Sequence, residues 1–288
     1  MKTTTLPLFN RKQTYAELSR ALLLAYFVTL NALTTAQAAS YAFTIIDVPY
    51  PATFQTTLTG INDRGQIAGF YLDFGLSSHG FLLSDGNFSS FDFTTTSCCT
   101  DFWDINSRGQ IVGYGGNVGF LFMDGQFSTI VVPGSNFTSA QGINDSGEIV
   151  GDTIVADEAV GFLFTGDSFS LIRAPGARST RALGINDSGH IVGTAETHGY
   201  LLRNGVFSTI DFPGAVGTVP SGINDAGEIV GWYEESPSVL HGFIISQEGM
   251  STIDFPGSTS TQVFGINNCG EIVGVMADSS GSHGFVAK

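Results

Sequence analysis

Four histidines occupy the same place in a recurring His-Gly-Phe or His-Gly-Tyr triplet, and histidines in equivalent positions raise the question of a metal site. They are His79, His198, His241 and His283. Ring nitrogens that share a zinc ion must approach within ~3–4 Å, because each Zn–N bond is only ~2.1 Å long. In the ring arrangement derived below, equivalent points of neighbouring repeats lie more than ~10 Å apart. We therefore expect each histidine to bond within its own repeat, and we predict neither a metal nor a cofactor.

Recurring carboxylates suggest a second kind of chemistry. Asp63, Asp145, Asp187 and Asp225 share one position of a repeated turn. A calcium site needs about six to eight oxygen ligands, and one carboxylate per turn falls short of that number. Turn chemistry is the favoured interpretation, with a weak cation ring at a channel mouth as the alternative.

Glycoside hydrolysis would need two carboxylates about 5 Å or ~6.5–9.5 Å apart. Glu234 and Glu235 are adjacent, so their side chains would diverge in an extended loop. Asp104 replaces a recurring glycine and could place a carboxylate at the channel, with a loop acid as its partner. The sequence contains no G-x-S-x-G, S-x-x-K or H-E-x-x-H motif and no phosphate-binding loop. The balance favours a protein that is not an enzyme, without deciding the question.

These residues belong to a repeat of about 41 residues, and repeats of that length are typical of solenoids and propellers. The ten-residue string at 142–151 returns with small changes at 60–69, 104–113, 184–193, 222–231 and 265–274. Its asparagine and its glycine three residues later fit a tight turn, in which glycine takes a positive φ at no steric cost. The string therefore predicts a β-hairpin in each repeat.

One repeat is predicted to contain four strands. In the fourth repeat they are 181–186, 190–194, 199–202 and 206–212, with Asn204-Gly205 as a two-residue hairpin signal. The sixth repeat has only three strands, and an unassigned strand at 43–48 precedes the first repeat. If that strand completes the last sheet, no edge is left unpaired.

The prediction is a six-bladed β-propeller of four-stranded blades, closed by the N-terminal strand. Residues 39–288 are expected to form this single domain, with repeats that start near 54, 100, 138, 180, 218 and 261. The glycine in the first strand of five repeats fits this arrangement, because inner strands crowd around the axis.

The segments between the second and third strands differ most among the repeats, and variable loops on a rigid scaffold commonly bind ligands. They are predicted at 71–78, 114–117, 152–159, 194–197, 232–240 and 275–282. The candidate ligand-binding residues are Tyr71, Asp104, Tyr114, Trp232, Tyr233, Glu234 and Glu235. Trp232 and Tyr233 could stack together on a sugar ring.

The repeat unit resembles the bacterial extracellular HAF repeat, which pairs a GIN-D-x-G-x-I-V-G segment with a later H-[AG]-F and a P-G terminus. The matching triplets are 79–81, 198–200, 241–243 and 283–285, whereas Val118 and Val160 replace histidine in the second and third repeats. The resemblance covers residues 43–288 and implies an exported bacterial repeat protein. It carries no agreed activity that could be transferred to any residue.

Residues 1–38 have the pattern of a secretory signal peptide. Basic residues precede an apolar run at 21–33, and Ala36-Gln37-Ala38 offers a cleavage site. A membrane anchor is the less favoured alternative, because the run is short for a bilayer. We expect an extracellular or periplasmic protein, with no stable membrane insertion after cleavage.

The acidic composition limits the partners of the protein. The whole chain has a formal charge of −15, and removal of residues 1–38 leaves seven basic and twenty-five acidic residues. Such a charge argues against nucleic acid as a partner.

Cys98 and Cys99 could form a vicinal disulfide or remain thiols, and a bridge to Cys269 is not expected.

Two functions remain at this point. The favoured one is an exported, monomeric, non-catalytic module that binds a glycan, an envelope component or a protein through the variable-loop face. The alternative is a secreted hydrolase or lyase that degrades a polysaccharide or another polymer with carboxylates at the channel mouth.

Overall fold

The computed structural model describes residues 41–93 and 99–288, and residues 41–288 form one compact unit. The described residues form twenty-four β-strands and no helix, so none of them belongs to a helix that could cross a membrane. The predicted signal peptide and Cys98 lie outside the described residues. Cys269 is exposed and is in no disulfide within the described part of the chain.

The strands follow the predicted repeat. The N-terminal strand is β1 (Phe43–Ile46). Repeat one contains β2 (Thr53–Ile61), β3 (Ile67–Asp73), β4 (Ser78–Ser84) and β5 (Asn87–Phe91). Repeat two contains β6 (Asp101–Ile105), β7 (Ile111–Gly115), β8 (Val118–Met123) and β9 (Gln126–Ile130). Repeat three contains β10 (Thr138–Ile143), β11 (Ile149–Val155), β12 (Glu158–Phe164) and β13 (Phe169–Ile172).

The last three repeats continue the same order. Repeat four contains β14 (Thr180–Ile185), β15 (Ile191–Ala195), β16 (His198–Arg203) and β17 (Val206–Ile210). Repeat five contains β18 (Gly217–Ile223), β19 (Ile229–Ser236), β20 (Val239–Ser246) and β21 (Gly249–Ile253). Repeat six contains β22 (Ser260–Ile266), β23 (Ile272–Asp278) and β24 (Gly281–Ala287).

Each of repeats two to five is a separate four-stranded antiparallel sheet whose strands pair in chain order. The N-terminal strand β1 pairs with β24, with Phe43 opposite Ala287 and Ile46 opposite Gly284. A single parallel contact, between Gln55 and Ser282, joins the strands of repeats one and six into one eight-stranded sheet. Thus the strand that precedes the first repeat lies beside the last strand of the chain.

The core consists of large apolar side chains packed between neighbouring sheets. The third strands of five repeats contribute the fully buried Phe81, Phe120, Phe162, Phe243 and Phe285. One cluster joins Leu58 and Phe81 of repeat one to Val273 and Val286 of repeat six. The predicted role of these aromatic residues, as core between repeats, agrees with this packing.

Backbone crowding explains the glycines of the first strands. A Cβ atom on Gly184 would lie 2.8 Å from the carbonyl oxygen of Ser221 in the next repeat. A Cβ on Gly265 would lie 2.8 Å from the carbonyl oxygen of Thr59. Non-bonded atoms do not approach this closely, so any larger residue would push the first strands apart. The crowding predicted for these strands is therefore present.

The predicted variable loops are mostly strand, which is a correction. The second and third strands are joined by only two residues in five repeats, and by residues 74–77 in repeat one. Trp232 and Tyr233, for example, lie within β19, opposite Gly242 and His241. Backbone pairing continues beyond the buried part of each hairpin, where side chains no longer alternate between apolar and polar. Sequence periodicity therefore underestimated the length of these strands.

Candidate functional site

The repeated turns meet around one closed cycle of hydrogen bonds. The Nδ2 atom of each turn asparagine donates to the backbone carbonyl of the equivalent asparagine in the next repeat. The order is Asn62, Asn106, Asn144, Asn186, Asn224, Asn267 and back to Asn62, with distances of 2.9–3.3 Å. The Oδ1 atom of Asn144 also accepts the backbone N–H of Glu148 within its own turn. These asparagines thus close each turn and join it to its neighbour.

The carboxylates beside these asparagines form a second set of bonds between repeats. Asp187 accepts the backbone N–H of Asp145 at 2.7 Å, and Asp225 accepts that of Asp187 at 2.8 Å. Asn268 occupies this position in repeat six and donates to both Asp63 and Asp225. The prediction that these aspartates serve their own turns needs correction, because the asparagines do so and the aspartates bond to the preceding repeat.

The turns surround a small acidic cavity, the turn-side cavity, which has a volume of about 70 Å³ and is lined by all six repeats. Burial raises the pKa of Asp187, and the nearby charges of Asp225, Asp145 and Asp63 add to the rise. Asp63 and Asp225 each have a carboxylate oxygen 2.9 Å from the same Asn268 amide nitrogen. The two carboxylates are therefore less than ~10 Å apart, as a pair of glycosidase acids must be. The cavity is nevertheless far smaller than the ~300–1,000 Å³ of ordinary ligand sites.

Asp104 also lines the turn-side cavity, and its carboxyl group is buried. Its two carboxylate oxygens accept the backbone N–H groups of Ile105 at 2.8 Å and Ile143 at 3.0 Å. Burial raises the pKa of Asp104 to about 7, against the lowering effect of these two hydrogen bonds. Asp104 thus lies at the turn-side cavity, and both of its oxygens already accept backbone hydrogen bonds.

At the other end of the first strands is a larger depression, the basin, with a volume of about 160 Å³. Every repeat contributes to it. Its lining residues are Thr59, Trp103, Gln141, Arg181, Leu183, Val219, Ser221, Trp232 and Phe264. Two indoles and a phenyl ring therefore share one concave surface with one guanidinium group.

Polar contacts fix several residues of the basin. Arg181 donates from Nε and Nη2 to Asp152 Oδ1, both at 3.3 Å, and Gln141 donates to Ser139 at 2.8 Å. Burial raises the pKa of Asp152, and the Arg181 charge opposes that rise. The arginine is thus held in place by a buried carboxylate, while about half of its side chain is exposed.

The aromatic candidates divide between two faces of their strands. Trp232 lines the basin, whereas the next residue, Tyr233, is 9% exposed and stacks on Phe212 at 3.7 Å between ring centroids. Successive side chains of a strand point to opposite faces, so Trp232 and Tyr233 do not form one stacking surface. Tyr71 occupies the position of Tyr233 in repeat one and stacks on His79 at 5.0 Å.

The remaining candidates lie at the ends of the second strands. Tyr114 occupies the position of Trp232 in repeat two and bonds through its side chain to Asp101, whose pKa is raised by burial. Glu234, in β19, pairs with Gly217 of β18, and its carboxylate accepts the backbone N–H of Ser238 at 3.4 Å. The exposed Glu235 lies 3.5 Å from His241 and, like Glu234, does not line the basin.

The triplet histidines bond within their sheets. His79, His198 and His241 bond through Nδ1 to the aspartate that directly follows the fourth strand of the same repeat, at 2.7–3.1 Å. His283 bonds in the same way to Asp47, which follows β1, at 2.7 Å. This agrees with the prediction of local bonding. Among residues 41–93 and 99–288, no group of three His, Cys, Asp or Glu side chains could hold a metal ion.

Most residues of the basin were not predicted from the sequence, although the repeat pattern pointed to them. The residue directly before the first-strand glycine, or before Asp104, faces the basin in every repeat. The six residues are Thr59, Trp103, Gln141, Leu183, Ser221 and Phe264. The glycine and the isoleucine that follow this position recur in nearly every repeat, while the position itself changes in size and chemistry, which is the variation expected at a binding surface.

The comparisons with known proteins concern the fold. No protein-family model matches the sequence, and no curated protein matches it. Among solved structures, a streptogramin B lyase has a TM-score of 0.52 at 13% identity, covering 85% of this chain and 97% of that one. Virginiamycin B lyase from Staphylococcus aureus has a TM-score of 0.53 at 12% identity, covering 86% of this chain and 100% of that one.

A gluconolactonase from Xanthomonas campestris is similar to the same degree. Its TM-score is 0.54 at 11% identity, with 86% of this chain and 90% of that one covered. At identities this low the likeness shows the fold alone. The chain therefore has a β-propeller fold.

Proposed function

We propose that this protein is an exported six-bladed propeller that binds a ligand in the basin. Three contacts between repeats six and one support a closed ring of six blades. They are the strand pair β1–β24, the hydrogen bond from Asn267 to the Asn62 carbonyl, and the packing of Gly265 on Thr59. In this proposal β1 is the fourth strand of the last blade.

The observation that carries the binding function is the contrast between a uniform scaffold and a varied basin. Six equivalent positions hold the same kind of backbone, yet they present an indole, a phenyl ring, an amide, two hydroxyls and a leucine to one depression. The residue two positions later is isoleucine in every repeat, so the variation is not uniform along the first strand. Rigid scaffolds with varied side chains at one surface are the usual design of binding proteins.

The proposed ligand is the terminal residue of a glycan. Trp103 and Trp232 supply flat apolar faces, and Arg181 and Gln141 supply hydrogen-bond donors. At about 160 Å³ the basin has room for one terminal unit rather than for a long chain segment. An envelope component or a protein that presents a side chain of similar size is the alternative ligand.

Export and the HAF-repeat resemblance belong to the same proposal. The basic N-terminal region, the apolar run at 21–33 and the A-x-A sequence at 36–38 support secretion to the periplasm or the cell exterior. An acidic, secreted propeller is suited to neutral glycans, because its charge disfavours nucleic acid and anionic membranes.

The test is a glycan array and a polysaccharide pull-down with purified residues 39–288. The matched variants are Trp232→Ala, in the basin, and Phe54→Ala, an exposed aromatic residue that does not line it. We expect binding that Trp232→Ala weakens and Phe54→Ala leaves unchanged. Equal binding by both variants would mean that the basin is not the site.

The same mixtures are assayed for new reducing ends. Their appearance, together with their loss in Asp63→Asn or Asp225→Asn, would favour the hydrolase alternative at the turn-side cavity. Calcium is added to half of the samples, because five aspartates line that cavity.

A further inference from the structure

Repeat five contains a three-ring stack that shows how one part of the scaffold can be filled by the protein's own side chains. The ring of Tyr233 lies between Phe212, at 3.7 Å and an interplanar angle of 5°, and His241, at 5.2 Å and 26°. The hydroxyl group of Tyr233 lies 3.2 Å from the Thr252 hydroxyl of the fourth strand. His241 is thereby covered, and its side chain is 26% exposed.

Repeat one has the same tyrosine in the same place. Tyr71 stacks on His79 at 5.0 Å and 23°, and Tyr50 lies on its other side at 5.2 Å. The Tyr71 hydroxyl lies 3.1 Å from Ser90, which pairs with Phe81 as Thr252 pairs with Phe243. The side chain of His79 is 25% exposed. Two repeats therefore place a phenol ring on the triplet histidine and a hydroxyl at its far end.

Repeat four has the same strand pairing but lacks the two aromatic side chains that flank this position in repeat five. Ala195 stands opposite His198, where Tyr233 stands opposite His241. Ala174 comes directly before the Pro-Gly pair that leads into repeat four. Phe212 comes directly before the equivalent pair that leads into repeat five. The two alanines line a cavity of about 300 Å³ together with Pro175, His198 and Thr209. We call this space the repeat-four slot.

The slot retains the groups that hold the tyrosine elsewhere. His198 is bound through Nδ1 to Asp211, and its side chain is 62% exposed because no ring covers it. Thr209 pairs with Tyr200 as Thr252 pairs with Phe243, so its hydroxyl occupies the position that bonds the Tyr233 hydroxyl. A volume of about 300 Å³ lies within the range of small-molecule sites.

We propose that the repeat-four slot binds a small phenolic molecule, whose ring stacks on His198 and whose hydroxyl bonds to Thr209. The protein's own Tyr233 and Tyr71 are the evidence for the shape and chemistry of this ligand. A ligand ring would supply the aromatic stacking that two alanine side chains cannot make. Its hydroxyl group would favour a phenol over a plain hydrocarbon ring. This site is separate from the basin and does not depend on it.

The nearby charges favour a neutral ligand. The carboxylate of Glu196, which lines the slot, accepts the backbone N–H of Arg178 at 2.7 Å. Asp211 lies on the far side of His198. An anionic aromatic acid would meet both charges, whereas a neutral phenol would meet neither directly.

The test uses p-cresol as the probe and toluene as the control without a hydroxyl. Binding to the full-length chain is followed by calorimetry and by amide shifts of residues 195–209. We expect p-cresol to bind about three- to tenfold more tightly than toluene, the difference that one hydrogen bond makes. Equal affinities, or shifts confined to other repeats, would overturn the proposal.

Two variants locate the site. Ala195→Tyr restores the side chain of repeat five and should abolish p-cresol binding while raising the thermal midpoint, because it fills the slot from within. Thr209→Val should remove the preference for p-cresol over toluene, whereas the matched Thr252→Val in repeat five should leave it unchanged. If Ala195→Tyr fails to fold, the Thr209→Val and Thr252→Val pair decides: equal preference in both contradicts the proposal.

A third arm identifies the source of the phenol. N-acetyl-tyrosine amide carries the same ring within a peptide backbone. Affinity no higher than that of p-cresol supports a free small molecule. Affinity more than about tenfold higher would mean that the occupant is a tyrosine of a polypeptide, and the small-molecule proposal would be wrong.

Discussion

The two ends of the first strands show opposite designs on one scaffold. At the turn side, six asparagines repeat the same two roles, and carboxylates bond each turn to the next. At the basin side, the equivalent position holds residues as different as Trp103, Gln141 and Leu183. Repetition marks the end where each repeat must fit its neighbour, and variation marks the end that can face a ligand.

The comparison also separates polar groups that stabilise the fold from those available for binding. The side chain of Asn144 is buried, and it makes bonds to its own turn and to the next one. Arg181, in contrast, is held on one side by Asp152 and is otherwise about half exposed. The same strand β14 therefore runs from a binding residue at one end to a structural turn at the other.

The largest expected effect is on the turn side. Asn144→Ala leaves the Glu148 amide without its partner and removes the hydrogen bonds to the Asn186 carbonyl and the Glu148 carboxylate, at a cost of about 3–5 kcal/mol in unfolding free energy. Gln141→Ala, three residues earlier and on the basin side, should cost about 1 kcal/mol or less. Denaturant unfolding of both variants measures the difference. Equal losses would remove the distinction between the two ends.

Asp104 should make the stability of the protein depend on pH. Its folded-state pKa of about 7 exceeds the ordinary value of 3.8, so ionisation opposes folding. The unfolding free energy should therefore fall by about 2–4 kcal/mol as pH rises from 4 to 7, relative to Asp104→Asn. Denaturant unfolding at each pH checks this. Parallel curves for the wild type and Asp104→Asn would contradict it.

Central crowding should distinguish two glycines in neighbouring repeats. In Gly184→Ala the new methyl group would lie 2.8 Å from the Ser221 carbonyl oxygen, at a cost of about 1–3 kcal/mol. Gly217, at the basin end of β18, has no atom nearer than 3.6 Å and should tolerate alanine. Thermal unfolding compares them. A Gly217→Ala variant as unstable as Gly184→Ala would show that crowding is not limited to the strand centre.

The smallest expected effect concerns the triplet histidines, which lie away from both ends. Burial alone would lower the pKa of His241, but hydrogen bonds and charges from Asp254 and Glu235 outweigh it and raise that pKa. Its contribution to stability is thus present below about pH 6.5 and is lost as pH rises through the folded-state pKa. NMR titration should show a pKa above about 6.5. Glu235→Gln should lower it, and an unchanged value would exclude the Glu235 contact.

Much of the fold could be predicted from the sequence because every repeat carries the same turn. The Asn-x-x-Gly pattern located the hairpins, and the strand at 43–48 pairs with the last strand of the chain, as its position suggested. The prediction of long variable loops was wrong, because the exposed ends of hairpins pair through the backbone without any apolar pattern. Trp232 was correctly placed at a surface, but its grouping with Tyr233 ignored the alternation of side chains along a strand.

Contacts between repeats could not be predicted from one repeat at a time. The aspartates looked like turn residues, because nothing in a single repeat shows that their partner is the amide of the preceding one. The repeat-four slot was invisible for a similar reason. It exists only because Ala174 and Ala195, which are 21 residues apart, both lack the rings that Phe212 and Tyr233 supply in repeat five.

The most direct test of the account is one affinity measurement made on both ends of the scaffold. A glycan that binds in the array is titrated against the wild type, Trp232→Ala and Arg181→Met in the basin, and Asp187→Asn in the turn-side cavity. The account predicts at least about tenfold weaker binding for the two basin variants and unchanged binding for Asp187→Asn. Weaker binding by Asp187→Asn alone would place the ligand at the uniform end and contradict the account.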